Sequence, residues 1–338
     1  MNNFLKILQD KDHILADGAT GTNLFEMGLE TGDPPEPWNL DYRDRIRSLH
    51  QGFVDAGSDL FLTNSFGGTS FRLKLHNLES RVFELNKAAG TVAREVADRA
   101  DRLVIVAGSM GPTGEMIEPH GLMTSAEAIG AFKVQAEGLA EGGVDVLWLE
   151  TMYSMEELEA ALDAVKGIGL PVCATMSFDT AGKTMMGITP ANLALRAKEL
   201  NLAGFGANCG VGAPDLLATI NDISRNVESG TVVISKANCG IPQFHDGKIL
   251  YSGTEKLMAE YVQIAMNSGA KIIGGCCGTT YAHVRAMRKA MDQHQVTTPP
   301  TLAEIEKRVG VMSDGSRAIF KGDDSKPTKE RRSRRSRL

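Results

Sequence analysis

The sequence predicts an α/β fold, a closed (β/α)8 barrel of the TIM type, and three observations point to it. Short apolar runs alternate with segments of helical periodicity. Eight such pairs follow one another. The runs are apolar throughout rather than alternately polar, as in a parallel strand covered on both faces. Eight successive βα units close into a barrel. The runs are His13–Gly18, Asp59–Ser65, Leu103–Ser109, Val144–Glu150, Pro171–Phe178, Gly204–Gly210, Thr231–Gly240 and Lys271–Gly278. Most are rich in Ile, Leu or Val, and each ends in Gly, Ser, Glu or Phe. The helical stretches between them are Asp41–Gly57, Leu78–Ala100, Ser125–Gly142, Ser154–Gly167, Thr189–Leu200, Ala213–Val227, Thr254–Ser268 and Thr280–His294. Ser125 and Ser154 are the expected N-caps, and Gly142-Gly143, Gly167 and Gly269 the expected C-caps. The alternative is an open doubly wound sheet. That fold uses a glycine-rich phosphate loop after its first strand, and no clean G-x-G-x-x-G stands there.

The expected organisation is a single barrel domain over residues 1–295, an extension over 296–320 with one short helix, and a basic, disordered tail over 321–338. Of 338 residues, 23% are charged and 42% hydrophobic, the balance of a globular chain rather than a disordered one. No apolar run reaches the roughly 18 residues that a membrane span needs. The first residues, MNNFLKILQDKDHILADG, lack the apolar core and small-residue cleavage site of a secretory signal, so a cytoplasmic location is expected. The net charge is −6, but residues 321–338 hold eight Lys or Arg against three acids, which leaves −11 on the rest. A body that acidic argues against a nucleic-acid surface. Five cysteines without an export signal read as core residues, metal ligands or nucleophiles, not as a disulfide framework.

The reactive residues fall at the C-terminal ends of the expected strands: Asp17, Asn64, Ser65, Glu150, Cys209, Asn238, Cys239, Cys276 and Cys277. A parallel barrel gathers those ends at one mouth, where barrel enzymes place their sites. Neighbouring residues on a strand point to opposite faces, so Cys276 and Cys277 can share a metal only if the chain turns there. Gly274, Gly275 and Gly278 permit such a turn. With Cys209 they make three sulfurs, the donor set of a zinc site with one open position. An inert buried pair or a redox pair is the competing reading. An open zinc site can bind a thiol substrate and keep it deprotonated, so alkyl transfer to sulfur is the expected chemistry, with no catalytic residue needed beyond the metal. Lys236, at the end of the seventh run, keeps a Schiff-base lyase in view. His120, His245 and His283 read as solvated or hydrogen-bonded, and Cys173 as core. Met110 and Met152 lie near the expected mouth and are candidates for lining a substrate pocket.

Seven motifs in order carry a resemblance: DGATGT (17–22), TNSFGG (63–68), GSMGPTGE (108–115), WLET (148–151), ANCG (207–210), NCGIP (238–242) and GGCCGTT (274–280). From about Ile14 to Met291 the chain resembles the homocysteine S-methyltransferases, a family that includes betaine–homocysteine methyltransferase and the homocysteine module of cobalamin-dependent methionine synthase. The resemblance implies zinc held by Cys209, Cys276 and Cys277, with the Asn238 side chain at the fourth position until the thiol replaces it. It implies Asp17 and Glu150 as partners of the substrate ammonium group, and Gly18, Ala19, Thr63 and Ser65 around the rest of the amino acid. Trp38 stands where onium-using relatives carry tryptophan, so its ring is the expected holder of a betaine-like donor. Gly67 and Thr151 replace the tyrosines of the betaine enzymes and look more like methionine synthase. Donor delivery from a separate corrinoid protein is therefore the second expectation. Cys239 replaces the usual alanine and is expected to pack as a small core residue. An oligomer is possible, without the dimerisation arm of the animal betaine enzyme.

Overall fold

The computed structural model describes residues 2–245 and 248–323. From residue 324 onward the expected tail lies outside the described residues, as does the side chain of His245. Among the described residues the strands are β1 (Ile14–Leu15), β2 (Leu60–Leu62), β3 (Ile105–Met110), β4 (Val146–Met152), β5 (Val172–Met176), β6 (Gly204–Cys209), β7 (Val233–Ala237), β8 (Pro242–His245), β9 (Lys248–Tyr251) and β10 (Ile272–Gly275). Eight of them form one parallel sheet in the order β1-β10-β7-β6-β5-β4-β3-β2. An Ala16–Leu60 bridge joins its two edges and closes the barrel. Strands β8 and β9 form an antiparallel hairpin between β7 and its helix, which the sequence reading did not foresee.

The apolar runs become strands because each side of them is covered. Ile14, Ala16, Leu60, Leu62, Ile105, Ala107, Val146, Trp148, Cys173, Ile234 and Ile272 pack inside the barrel. Their alternate neighbours, such as Leu15, Phe61, Val106, Leu147, Ala174 and Ile273, pack outward under the helices. Cys173 is thus core, as expected. An N-terminal helix, Asn3–Asp10, seals the lower end by adding Phe4 and Ile7 to the interior cluster.

The helices fall where the periodicity places them, within a few residues at each end. Ser154 caps its helix by accepting from the Glu157 N–H. At the preceding helix the cap is Thr124 rather than Ser125, because Thr124 and Glu127 make a reciprocal capping box. Beyond the barrel the chain forms two short helices, Leu302–Val309 and Asp314–Phe320, rather than one. Arg308 reaches Glu260 and Gln263 on one barrel helix, and Ser313 bonds Asp215 on another at 2.6 Å.

Candidate metal centre and substrate site

Cys209 ends β6, and Cys276 and Cys277 follow β10, with β7 between the two strands. The curvature of the barrel brings the sulfurs together. Cys209 Sγ lies 3.1 Å from Cys276 Sγ and 3.7 Å from Cys277 Sγ, and all three lie within 4.8 Å of one another. Tetrahedral zinc with Zn–S bonds of about 2.3 Å would set its sulfurs roughly 3.8 Å apart, so the spacing suits the ion. Two local devices permit the convergence. Strand β10 stops at Gly275 and the chain turns through Gly278 at φ 76°. Cys209 itself sits at φ 60°, a conformation that costs a residue with a side chain of order 1–3 kcal/mol and clusters at functional sites. The thiols share protons unequally. Hydrogen bonds from Cys209 and Cys276 hold the Cys277 thiol down to about 3, while the same cluster holds Cys209 well above an ordinary thiol. The Tyr251 hydroxyl further lowers the Cys277 thiol. Nothing in the sequence signalled Tyr251, because the β8–β9 hairpin that presents it was not foreseen.

The loops bearing the sulfurs are braced by two asparagines. Asn238 accepts from the Cys277 N–H at 3.0 Å and donates to the Gly210 carbonyl at 2.9 Å, so it ties one cysteine loop to the other. The Cys239 N–H adds a bond to the Cys277 carbonyl at 2.9 Å. The Cys239 side chain is 1% exposed and packs against Gly253, as its small size led us to expect. Asn208, fully buried, spans from β6 to β4. It accepts from the Thr151 N–H at 2.9 Å, donates to Thr151 Oγ1 at 2.7 Å and approaches Cys276 Sγ at 3.8 Å. Thr151 is held at φ 63°, a second strained position beside the site.

A charged floor lies within the barrel. Lys236, on β7, forms an ion pair with Asp17, and both are nearly inaccessible. The other Asp17 oxygen accepts from the Leu62 N–H at 2.9 Å. Burial disfavours the Lys236 ammonium, but Asp17 and then Glu150 outweigh it and hold its pKa up. A charged, paired amine is no Schiff-base nucleophile, so the lyase alternative loses its residue. Glu150, from β4, accepts from the Ser109 hydroxyl. Burial raises its carboxyl to about 7 against the pull of Lys236. Thr63 and Ser65 are both buried and join this pair through Ser109. Their hydroxyls bond each other at 2.6 Å, Ser65 donates to the Ser109 carbonyl at 2.7 Å, and Thr63 accepts from the Ser109 N–H at 3.0 Å. The sequence reading missed Ser109, which the alternation of β3 places one strand from Glu150.

Gly18 is required by close approach: a Cβ there would lie 2.5 Å from the Thr279 carbonyl and 2.8 Å from the Phe53 ring. The Ala19 N–H already donates to that carbonyl at 3.0 Å. Trp38 does not present the open aromatic face expected of a donor site. It is 7% exposed, with the Arg45 guanidinium stacked 5.0 Å from its ring and Tyr42 tilted against it at 4.8 Å. Met110 and Met152 also depart from expectation. Both are fully buried in the outer layer between strands and helices, because they point away from the barrel axis. His120 is exposed, and His283 caps its own helix through Thr280.

The model of the homocysteine S-methyltransferase family matches residues 14–291. Among solved structures, the fold is similar to the metallated form of the homocysteine methyltransferase MmuM from Escherichia coli, with TM-score 0.72 and 20% identity, covering 85% of this chain and 99% of that one. The oxidised form of MmuM gives TM-score 0.71 and 23% identity over 86% of this chain and 99% of that one. A methyltransferase from Methanosarcina mazei is similar at TM-score 0.57 and 10% identity, over 86% of this chain and 97% of that one.

Proposed function

The chain belongs to the homocysteine S-methyltransferase family, and from that premise we propose that it is a zinc-dependent enzyme that methylates the sulfur of homocysteine to form methionine. The observation that supports this reading best is the convergence of Cys209, Cys276 and Cys277 within 4.8 Å at the barrel mouth. These three residues would hold the zinc ion, which supplies the Lewis acidity that keeps a thiol of ordinary pKa about 8.5 deprotonated at neutral pH. The rest falls to the chain. Glu150, oriented by Ser109, receives the substrate's ammonium group in a charge-assisted hydrogen bond. Asn238 and Asn208 keep the cysteine loops in register, so that the acceptor sulfur meets them in one place. The sulfur lone pair then forms the new S–C bond as the bond between donor and methyl breaks. The product is a neutral thioether, which leaves more readily than the thiolate.

The donor has two readings. The first is betaine or a similar small onium compound, held against Trp38. The second is a methyl-corrinoid carried by a separate protein. The resident Arg45 on the Trp38 ring favours the second, because two cations repel at one aromatic face. The deciding experiment is a turnover assay of zinc-loaded protein with homocysteine and glycine betaine, dimethylsulfoniopropionate, S-methylmethionine or methylcobalamin. Methionine formed from at least one donor is the expected result. Its absence with all four, and with a supplied methyl-corrinoid protein, would overturn the reading.

A further inference from the structure

Lys236 is the one buried cation of the described site, and methyl transfer as set out above does not use it. It is 2% exposed, it projects from β7 into the barrel, and its ammonium group pairs with Asp17. Asp17 is thereby fully engaged. One oxygen pairs with Lys236, and the other accepts from the Leu62 N–H at 2.9 Å, a bond across the β1–β2 closure. Glu150 has a different kind of partner. It accepts from the neutral Ser109 hydroxyl, which satisfies hydrogen bonding but adds no charge. With Glu150 ionised, the floor holds two carboxylates and one ammonium, one positive charge short of neutral. A buried carboxylate without a compensating cation is costly, so this arrangement awaits a single further cation. We propose that Lys236 is a positioning residue of the acceptor site: by occupying Asp17 it leaves Glu150 as the one carboxylate that takes the substrate's ammonium group, and so fixes where the substrate's sulfur lands among the cysteines.

This rests on the acceptor being an amino thiol such as homocysteine. It assigns Asp17 to Lys236 and to barrel closure rather than to the substrate, unlike the family resemblance. Without Lys236, two acids on different strands would compete for one ammonium group. The amine would still bind, but in two places, and only one of them aims the sulfur at the cysteine cluster. Binding and sulfur placement should therefore separate, which a merely structural ion pair would not produce.

The test uses the full chain loaded with zinc for calorimetry, and with cobalt(II) for the sulfur-to-metal charge-transfer band. In the unsubstituted protein, L-homocysteine should bind and strengthen that band, whereas 4-mercaptobutyrate, which lacks the amine, should bind at least tenfold more weakly. Lys236→Met should bind homocysteine within about threefold of the unsubstituted protein, yet lose at least about fivefold of the band increase. The double variant Asp17→Asn with Lys236→Met removes the competing acid and keeps an acceptor for Leu62. It should recover both, as should ethylammonium added to Lys236→Met. A double variant no better than Lys236→Met would overturn the assignment, as would a full band increase in Lys236→Met alone. Loss of metal from Lys236→Met, unrepaired by Asp17→Asn, would show that the lysine serves the thiols instead, and would also overturn it. If Lys236→Met fails to fold, the double variant alone decides: an unsubstituted-like band supports the proposal and its loss overturns it. Failure of the unsubstituted protein to bind homocysteine at all would instead sink the functional reading.

Discussion

Cys276 and Cys277 are adjacent in sequence, yet each should be indispensable, because a donor set of three thiolates has no spare member. Cys276→Ala or Cys277→Ala should lose the metal and lower turnover by at least about a hundredfold, with metal stoichiometry and rate measured on the same sample. Full metal content in either variant would reject the ligand set. Cys239→Ala should keep the metal, because that thiol packs against Gly253 and no described contact joins it to the cluster; its cost should be about 1 kcal/mol of lost packing. Glu150 offers a different handle. Its carboxyl is raised by burial to about 7 from an ordinary value of 4.5, so the folded state binds its proton more tightly than the unfolded state does. That contribution to stability is fully present below pH 4.5 and is lost as pH rises through about 7. Glu150→Gln cannot lose it. In metal-free protein the melting temperature of Glu150→Gln should therefore gain on that of the unsubstituted protein between pH 5 and pH 8. Parallel melting curves across that range would show that Glu150 is not held up by burial. The same variant should weaken homocysteine binding without releasing metal.

At the scale of the elements, the bracing asparagines turn two strand ends into a site. Asn208 holds Thr151, in the left-handed region, by hydrogen bonds rather than by favourable backbone geometry, and its amide also reaches the Cys276 sulfur at 3.8 Å. Asn208→Ala should leave the half-buried Thr151 N–H unpaired, cost about 1–3 kcal/mol in chemical denaturation, and weaken metal binding through Cys276. Unchanged metal affinity would mean that Cys276 keeps its place without the asparagine. These braces also mark the limit of what the sequence disclosed. Strands and long helices were legible because apolar periodicity is written locally, and the mouth residues because strand ends in a parallel barrel share one side. Cys209, Cys276 and Cys277 could be paired because sulfur donors are few. Thr63 and Ser65 were placed at the mouth, but their bonds to Ser109 were not legible, because those depend on a partner from another strand. Trp38 likewise carried an aromatic ring into view, while Arg45, which covers it, comes from the following helix. The β8–β9 hairpin and the short helices at Gly21–Glu26, Trp38–Asp41 and Ser70–Lys74 have too few residues for periodicity to register.

Across the whole molecule, the barrel closes at its weakest seam with the help of two buried aspartates. Strands β1 and β2 share only the Ala16–Leu60 bridge, whereas the other neighbouring strands in the sheet pair over two or more residues, β4 and β5 with a register shift between Leu149 and Met152. At the lower end Asp59 accepts from the Leu15 N–H at 2.9 Å, and its own N–H donates to the Leu15 carbonyl at 2.7 Å. At the upper end Asp17 accepts from the Leu62 N–H. Asp59 is also a hub of charge, with Lys11 at 2.6 Å, Arg288 at 3.1 Å and Arg102 at 3.9 Å. These cations come from the N-terminal helix's end, the last barrel helix and the loop before β3, so one carboxylate joins distant parts of the chain. Lys11 is 42% exposed, and its pair alone adds little. The aspartate itself is buried, and removing it strands several partners together. Asp59→Ala should therefore cost about 3–5 kcal/mol, whereas Asp59→Asn, which still accepts from Leu15, should cost less. The seam reading adds a spatial signature. Amide exchange should speed up most at Leu15 and Ala16, less at Leu62, and least in β5 and β6 across the barrel. Variants that remain folded should keep full metal stoichiometry, because the two cysteine loops are tied to each other through Asn238 and neither bonds Asp59. A cost below about 1 kcal/mol for Asp59→Ala, or uniform exchange around the barrel, would mean that apolar packing closes it without the aspartates.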